Sequence, residues 1–421
     1  MKILVIGSGG REHAIIWSLA RSPHATQLYC APGNAGISQI ATCLPLNAEN
    51  PESIVALADS IDAGLTVVGP EAPLVAGVAD AFALRKLRLV GPSSAAARLE
   101  GSKIFAKQFM ARHSIPTARF TACDSPESAR DAARDYGYPL VVKADGLAAG
   151  KGVRIASNRQ EFDSAIEAMM VQRVFGEAGS RVVIEECLIG REASLMVFTD
   201  GRDYKVIVPA QDYKRVNDGD LGPNTGGMGS FSTPALVDEP TLARITREII
   251  EPTLTGMCDE GAPFSGVLYA GLMLTDDGPK VIEFNARLGD PETQAVLTRL
   301  DSDLVEVFDA IADGRVASSR VTWSEDSAVC VVAASGGYPG GFEKGKRISG
   351  LEEANAVEGV MVFHAGTTRD DERNFITSGG RVLGVTARGA SLAEARARAY
   401  EAIGRISFER MHYRRDIAGD P

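Results

Sequence analysis

Lys280-Val281-Ile282-Glu283-Phe284-Asn285-Ala286-Arg287-Leu288-Gly289-Asp290-Pro291-Glu292-Thr293-Gln294 is the stretch around which the rest of the chain can be ordered. It opens as a strand. Simple alternation puts Val281, Glu283 and Asn285 on one face and Ile282 and Phe284 on the other, the latter able to enter a core. Glu283 and Asn285 would then present a carboxylate and an amide carbonyl about 7 Å apart, two residues of strand rise. Both are hard oxygen donors of the kind Mg²⁺ takes while phosphate and water fill its other positions. Arg287 adds a fixed cation just beyond. Metal ligands beside an arginine suit phosphoryl transfer. The same spacing also fits a strand ending in a solvated polar turn, so the remaining sequence has to decide.

The chain is 421 residues long, too long for one core, which predicts two to four domains. Its net charge of −11 argues against general binding of nucleic acid or anionic membrane. A small phosphate ester remains possible, because a few N–H groups and cations suffice to hold one. The cysteines Cys30, Cys43, Cys123, Cys187, Cys258 and Cys330 are scattered and form no CxxC pair. This predicts reduced thiols in a cytoplasmic protein rather than a disulfide framework or zinc site. The apolar run Ile3–Ile6 is too short for a signal peptide, and no stretch approaches the roughly 20 apolar residues of a membrane span.

Ile3–Ile6 reads as a strand buried on both faces of a parallel sheet. Gly7-Ser8-Gly9-Gly10 and a helix beginning at Arg11 follow, a backbone anion site reinforced by the helix dipole. The dinucleotide fingerprint G-x-G-x-x-G fails here, because its third glycine is Glu12 and no acidic residue follows near Cys30 to hold a ribose. NAD and FAD are therefore not expected. Strands at 66–68 and 88–90, with the loops 31–36, 69–74 and 91–93, continue a βα pattern whose irregular turns lie at strand C-termini. That is where open α/β sheets bind ligands. Residues 1–101 are taken as one α/β domain with a substrate crevice.

Ser102 is a cap for a helix through His113, and Lys103 in its first turn is a cation that is either solvated or used. Residues 117–190 suggest a small α+β unit. Strands at 139–143 and 153–156 flank the loop Asp145-Gly146-Leu147-Ala148-Ala149-Gly150-Lys151-Gly152. Its glycine spacing and strand-to-strand setting do not fit a Walker A loop. It reads instead as a flap over phosphates, with Lys143 and Lys151 as cations, although an ordinary hairpin loop has the same outline. A strand at 181–188 carries Glu185 and Glu186, and Glu192 begins the next strand. The glycine-dense loop 218–229 follows Gln211-Asp212-Tyr213-Lys214-Arg215; long irregular loops inside compact domains are usually functional or disordered. A strand over 266–274 forms a hairpin with the opening stretch, and one helix is expected from about 293 to 313. Residues 322–421 read as a last, β-rich domain in which no side chain is singled out for chemistry.

These residues resemble the ATP-grasp ligases. Lys143 to Gly152, the Glu185–Leu188 linker and the Glu283/Asn285 pair occur in that family's order. The resemblance narrows, end to end, to the phosphoribosylamine–glycine ligases, also called glycinamide ribonucleotide synthetases. Their signature matches Arg287–Gln294, and Ile6–His13, Gly69-Pro70-Glu71 and Pro223–Gly229 match as well. The resemblance implies an ATP-grasp architecture of the α/β class, α+β and multidomain: an N-terminal parallel-sheet domain (1–101), an ATP-grasp domain (102–321) with a mobile lid at about 117–190, and a C-terminal domain (322–421).

It also implies ligation of glycine to 5-phosphoribosylamine with ATP and Mg²⁺ or Mn²⁺, by a monomer. Glu283 and Asn285 would be metal ligands. Lys103, Lys143 and the flap residues Asp145, Gly146, Gly150, Lys151 and Gly152 would hold ATP phosphates. Glu185, Glu186 and Leu188 would read adenine, and Glu192 the ribose. Many ATP-grasp enzymes carry a further metal carboxylate on the preceding strand, which 267–274 lacks here. Gly9, Gly10 and Arg11 would hold the ribosyl phosphate, with Asn34, Gly69, Pro70, Glu71, Thr225, Gly226 and Gly227 around the sugar and its approach. Arg287 and Lys214 are catalytic candidates for charge stabilisation, and Asp290 and Asp212 are alternatives for the glycine ammonium. Another ATP-grasp ligase, with a different acid or amine, would keep the ATP and metal residues.

Overall fold

The computed structural model describes residues 1–148 and 151–419. Strand β1 (Lys2–Gly7) is continuously apolar because it is central in a parallel sheet, and Ile3, Leu4, Val5 and Ile6 are all fully buried. It pairs with β2 (Gln27–Pro32) and β4 (Leu65–Val68), flanked by β3 (Thr42–Cys43) and β5 (Leu89–Val90), in the order β3-β2-β1-β4-β5. The order reverses between β1 and β4, which opens a crevice at their carboxyl ends. Beyond it, Ser102 caps the helix Lys103–Arg112 by accepting from the Phe105 N–H.

Strands β6 (Phe120–Cys123), β7 (Leu140–Ala144), β8 (Val153–Ala156) and β9 (Val182–Glu186) form an antiparallel sheet, ordered β6-β9-β7-β8. This lid has its own core of Val142, Ile184, Phe162, Ile166 and Met169.

Residues 191–285 supply β10 (Arg191–Asp200), β11 (Tyr204–Val206), β12 (Gln211–Asp212), a hairpin of β13 (Arg215–Asn217) and β14 (Leu221–Asn224), β15 (Gly229–Ser232), β16 (Ser265–Thr275) and β17 (Gly278–Asn285). Four of them make the central antiparallel sheet, β11-β10-β16-β17. Strand β17 departs from simple alternation. Val281 pairs with Leu272 and Glu283 with Gly271, so Ile282 is an extra residue in a bulge. Val281 and Phe284 therefore share the buried face, at 0% and 2% exposure, while Ile282 is only half-buried. Glu283 and Asn285 remain together on the opposite face.

The expected helix 293–313 is two helices, Glu292–Thr298 and Leu304–Ala312. The break follows from polar residues that satisfy themselves locally. Ser302 bonds Thr322, and Asp303 caps the second helix by accepting from the Val305 N–H at 2.8 Å.

The last strands are β18 (Ser327–Ala334), β19 (Val360–His364), a hairpin of β20 (Thr367–Arg369) and β21 (Phe375–Thr377), and β22 (Arg381–Gly389). Their sheet has the order β12-β15-β18-β22-β19, so residues 211–232 provide two of its five strands. The helix Leu392–Ile403 covers it, with Ala395, Ala399 and Ile403 fully buried. The first helix, Gly10–Leu19, packs on the same region through Trp17 against Phe363, centroids 5.8 Å apart. Among the described residues, no helix is long and apolar enough to cross a membrane.

Candidate active site

Glu283 leads the central sheet's polar face. Lys214 lies 3.7 Å from it and 3.3 Å from Glu192. Burial alone would raise the Glu283 pKa, but Lys214, Lys143, Lys103 and Arg287 outweigh it and hold the carboxyl below its ordinary range. Burial opposes the Lys214 charge, yet Glu192, Asp212 and Glu283 raise its pKa well above normal. Asp212 is pushed up to about 8 by burial, against Lys214, with Glu292, Glu192 and Glu283 adding like-charge repulsion. Three carboxyl groups, Glu192, Asp212 and Glu283, thus surround one lysine. Behind them the Tyr269 hydroxyl donates to Glu292 at 2.8 Å and lies 2.7 Å from Ser194. Across the ladder, Gly271 faces Glu283 and Tyr269 faces Asn285, so β16 presents no carboxylate there.

The lid and the helix Lys103–Arg112 before it reach this face through lysines. Lys143 binds Glu185 at 3.0 Å and donates to the Ile282 carbonyl at 2.9 Å, the bulge residue of β17. Lys107, which the sequence did not single out, binds the same Glu185 oxygen at 2.9 Å and donates to Thr117 at 2.8 Å. Burial lowers the Lys107 pKa to about 8 despite Glu185. The other Glu185 oxygen is buried and has no hydrogen-bond partner among the described residues. Lys107 falls in helical register with Ile104 and Met110, and that was the available signal for it. Lys103 is lowered by burial and by Lys143, against Glu283, and donates to the Gly146 carbonyl at 3.3 Å.

The flap residues divide. Asp145 is engaged within the protein, accepting from Ser102 and the Ile104 N–H at 2.8 Å and from Arg181 at 2.5 Å. Gly146 sits against Ala178 and buried Gly152 against Ala148. Lys151 reaches across to the Pro339 carbonyl at 3.0 Å. Gly150 lies outside the described residues. Glu186 accepts from the Arg119 N–H at 2.9 Å, and Leu188 is half-buried in the linker after β9.

Arg287 is held between carboxylates, 2.8 Å from Glu100 and 3.4 Å from Glu71, and it donates to Asn285 at 3.3 Å. Burial opposes its charge, but Glu100, Glu71 and Glu292 raise its pKa further. Glu71 is pushed up by burial and pulled down further by Arg287 and Arg11, so it stays below its ordinary value.

At the β1–β4 crevice Glu12 dominates. It accepts from the Gly9 N–H at 2.5 Å and from Arg11 at 2.7 Å, and it occupies the space that a Cβ at Gly69 would need. A carboxylate thus fills the position where the dinucleotide fingerprint has glycine. Gly9 and Arg11 have these partners within the chain, Arg11 also donating to the Leu288 carbonyl at 3.1 Å. Gly10 is buried against Gln294, and Pro70 is half-buried beside buried Gly69. Asn34 donates to the Ser8 and His364 carbonyls, both at 2.9 Å.

Ser8, Gly9 and Asn34 line a cleft of about 370 Å³ with Asp290, Tyr338, Thr367, Ser378 and Arg381. Arg381 binds the Asp290 carboxylate at 2.9 Å. The last domain therefore does supply polar side chains to this region, contrary to its reading from sequence. A single arginine in a strand carries no motif, and no periodicity marks it. Thr225 is buried and accepts from the Gly227 N–H at 2.9 Å, Gly226 donates to the Tyr338 hydroxyl at 3.0 Å, and Gly227, at φ +112°, packs on Pro291.

A small lid sheet set over a central sheet, with lysines on one and a carboxylate–amide pair on the other, defines an ATP-grasp ligase. Three family models cover nearly the whole chain: the phosphoribosylglycinamide synthetase N domain over residues 1–100, its ATP-grasp (A) domain over 101–293 and its C domain over 328–420. The chain belongs to the phosphoribosylglycinamide synthetase family. It is 49% identical over 420 residues to a phosphoribosylamine–glycine ligase of Caldanaerobacter subterraneus subsp. tengcongensis, covering 99% of each. It is 48% identical over 417 residues to that of Brucella melitensis, covering 99% of this chain and 97% of the relative. The crystal structure of the Thermotoga maritima phosphoribosylamine–glycine ligase superposes with a TM-score of 0.85 at 36% identity, covering 99% of this chain and all of that one. A biotin carboxylase from Campylobacter jejuni, solved as a β-γ-ATP complex, shares the fold at 16% identity and a TM-score of 0.77, over 98% of this chain and 92% of that one.

Proposed function

We propose that the chain joins glycine to 5-phosphoribosylamine, converting ATP to ADP and phosphate and giving glycinamide ribonucleotide, a step of de novo purine synthesis. The observation that carries this reading is the turn 287–291. On one side stand Glu283, Lys143 and Lys103; on the other opens the cleft of Ser8, Asn34 and Arg381. Two substrates can meet across it. The family supports the choice of acid and amine.

Lys103, Lys143 and the flap at 145–152 would hold the ATP phosphates, Glu185, Glu186 and Leu188 the adenine, and Glu192 the ribose. Glu283, kept ionised by surrounding cations, and the Asn285 carbonyl fit a hard divalent ion, Mg²⁺ or Mn²⁺. Such an ion, when bound, withdraws charge from the transferred phosphoryl group. The glycine carboxylate attacks the γ-phosphorus, the bond to the bridging oxygen breaks, and ADP leaves with that oxygen's electron pair. Glycyl phosphate results. The neutral amine then attacks the acyl carbon, the C–O bond to phosphate breaks, phosphate leaves and the new amide nitrogen loses a proton. Neither step needs a strong protein base; positioning and charge stabilisation suffice.

Arg287, fixed by Glu71 and Glu100, is oriented beforehand for the acyl phosphate, with Lys214 beside Glu283 as a second cation. For the glycine ammonium, Asp212 and Asp290 are the candidates; Asp212 is pushed up to about 8 by burial and by Glu292, Glu192 and Glu283, and an arriving ammonium would draw it to the ionised form. Asp290 faces the amine side, as a wall of the cleft. Six free cysteines support a reducing compartment such as the cytoplasm, and the family resemblance supports a monomer.

The test is ADP release from ATP, Mg²⁺ and glycine, with and without freshly generated phosphoribosylamine. Turnover is expected only with both; turnover with another amino acid but not glycine would redirect the reading to a different ligase. Glu283→Gln is expected to raise the Mg²⁺ concentration for half-maximal rate about 10- to 100-fold, as loss of a carboxylate donor should. An unchanged Mg²⁺ dependence would remove Glu283 from the metal site.

A further inference from the structure

Arg381 is the first residue of β22, in the C-terminal sheet, yet among the described residues its guanidinium bonds only to two loops of the region before it. One terminal nitrogen donates to the Gly226 carbonyl at 2.5 Å and the Asp290 carbonyl at 2.8 Å. The other donates to the Asp290 carboxylate at 2.9 Å. The second Asp290 oxygen accepts from Gln294 at 2.9 Å. The two loops also touch each other. Gly227 packs on Pro291, and Ser230 donates to the Pro291 carbonyl at 2.8 Å. A Cβ at Gly226 would come within 3.2 Å of the guanidinium carbon, so the glycine permits this approach.

We propose that Arg381 is a positioning residue for the acyl-transfer step, holding Asp290 and the 226–227 loop as the fixed wall between the cleft and the acyl phosphate. The inference rests on the proposed ligase reading and adds to it a role for the C-terminal domain. A planar fork that satisfies a carboxylate and two carbonyls together cannot be reproduced by a point charge. With the fork in place, the Asp290 carboxylate keeps one orientation along the cleft lined by Ser8, Gly9 and Asn34. Without it, Asp290 turns and the 226–227 loop separates from the 287–291 turn. Water then reaches glycyl phosphate before the amine does.

The experiment compares Arg381→Lys and Arg381→Met with the unaltered enzyme, measuring KM for each substrate and the ratio of ADP to glycinamide ribonucleotide formed. Thermal denaturation shows which variants fold, and the lysine variant carries the test if the methionine variant does not. For Arg381→Met the KM for phosphoribosylamine is expected to rise about tenfold with the KM for ATP within about twofold, the split expected when one substrate's site is affected. The ADP-to-product ratio should climb above one in both variants, less in Arg381→Lys. A ratio of one with an unchanged phosphoribosylamine KM in a folded variant would overturn the proposal, and so would an equal rise in all three KM values. If the unaltered enzyme shows no glycine- and amine-dependent ADP release, the ligase reading fails instead.

Discussion

His13 and His364 show how much of this molecule is decided by single buried side chains. His13 Nδ1 accepts from the His364 N–H at 2.8 Å, and the His364 imidazole bonds Thr367. Burial, with the neighbouring imidazole, takes His13 down to about 3; burial and Arg369 take His364 to about 4. Both are therefore neutral in the folded state and protonate more readily in the unfolded chain. Stability is full above the ordinary histidine range near 6.5 and falls as pH drops toward 4, by about 1.4 kcal/mol per histidine per pH unit at most. Thermal denaturation between pH 7 and 5 should show this fall, and His13→Asn, which keeps an acceptor but does not titrate, should remove the His13 share of it and leave that of His364. At this scale Glu283, Asn285 and Arg287 were legible because alternation and a turn mark them. Lys107 and Arg381 were not, because their partners, Glu185 and Asp290, lie 78 and 91 residues away in the chain.

Strand β17 shows what an element adds to its residues. Alternation alone would place Val281 with Glu283, but the bulge at Ile282 turns Val281 into the core and leaves the Ile282 carbonyl for Lys143. A bulge belongs to the pairing with β16, so one strand's sequence does not reveal it. Removing Ile282 keeps Val281 opposite Leu272 and Glu283 opposite Gly271 while deleting that carbonyl. The deletion variant should fold, with a KM for ATP raised about tenfold through loss of one charge-assisted hydrogen bond to Lys143. An unchanged KM would show that Lys143 needs no anchor on this strand. The stretch 293–313 reads as one helix and forms two for a related reason. Its apolar pattern runs through Leu300 and Leu304, but Asp303 makes a cap there, and Leu300 instead bridges to Trp323.

The molecule as a whole is less modular than its sequence. The parallel sheet at the start and the lid were legible because each is local in the chain. The C-terminal sheet was not, since β12 and β15 come from residues 211–232 and join it through the pairing of β15 with β18. Residues 322–421 produced alone would leave Ala328–Val331 of β18 as an unpaired edge, and such edges associate. Size-exclusion chromatography of that segment should show aggregates; a folded monomer would mean that β18 does not need β15.

The same arrangement has a consequence for synthesis on the ribosome. Strand β15 ends at Ser232 and its partner β18 begins at Ser327. At about 5–20 residues per second the wait between them is roughly 5–20 s. Through that interval Gly229–Ser232, a buried strand of the finished protein, has only the two-residue β12 of its sheet to pair with. The side of the site formed by Asp212 and Lys214 is thus among the last parts to set, although its residues are made midway along the chain.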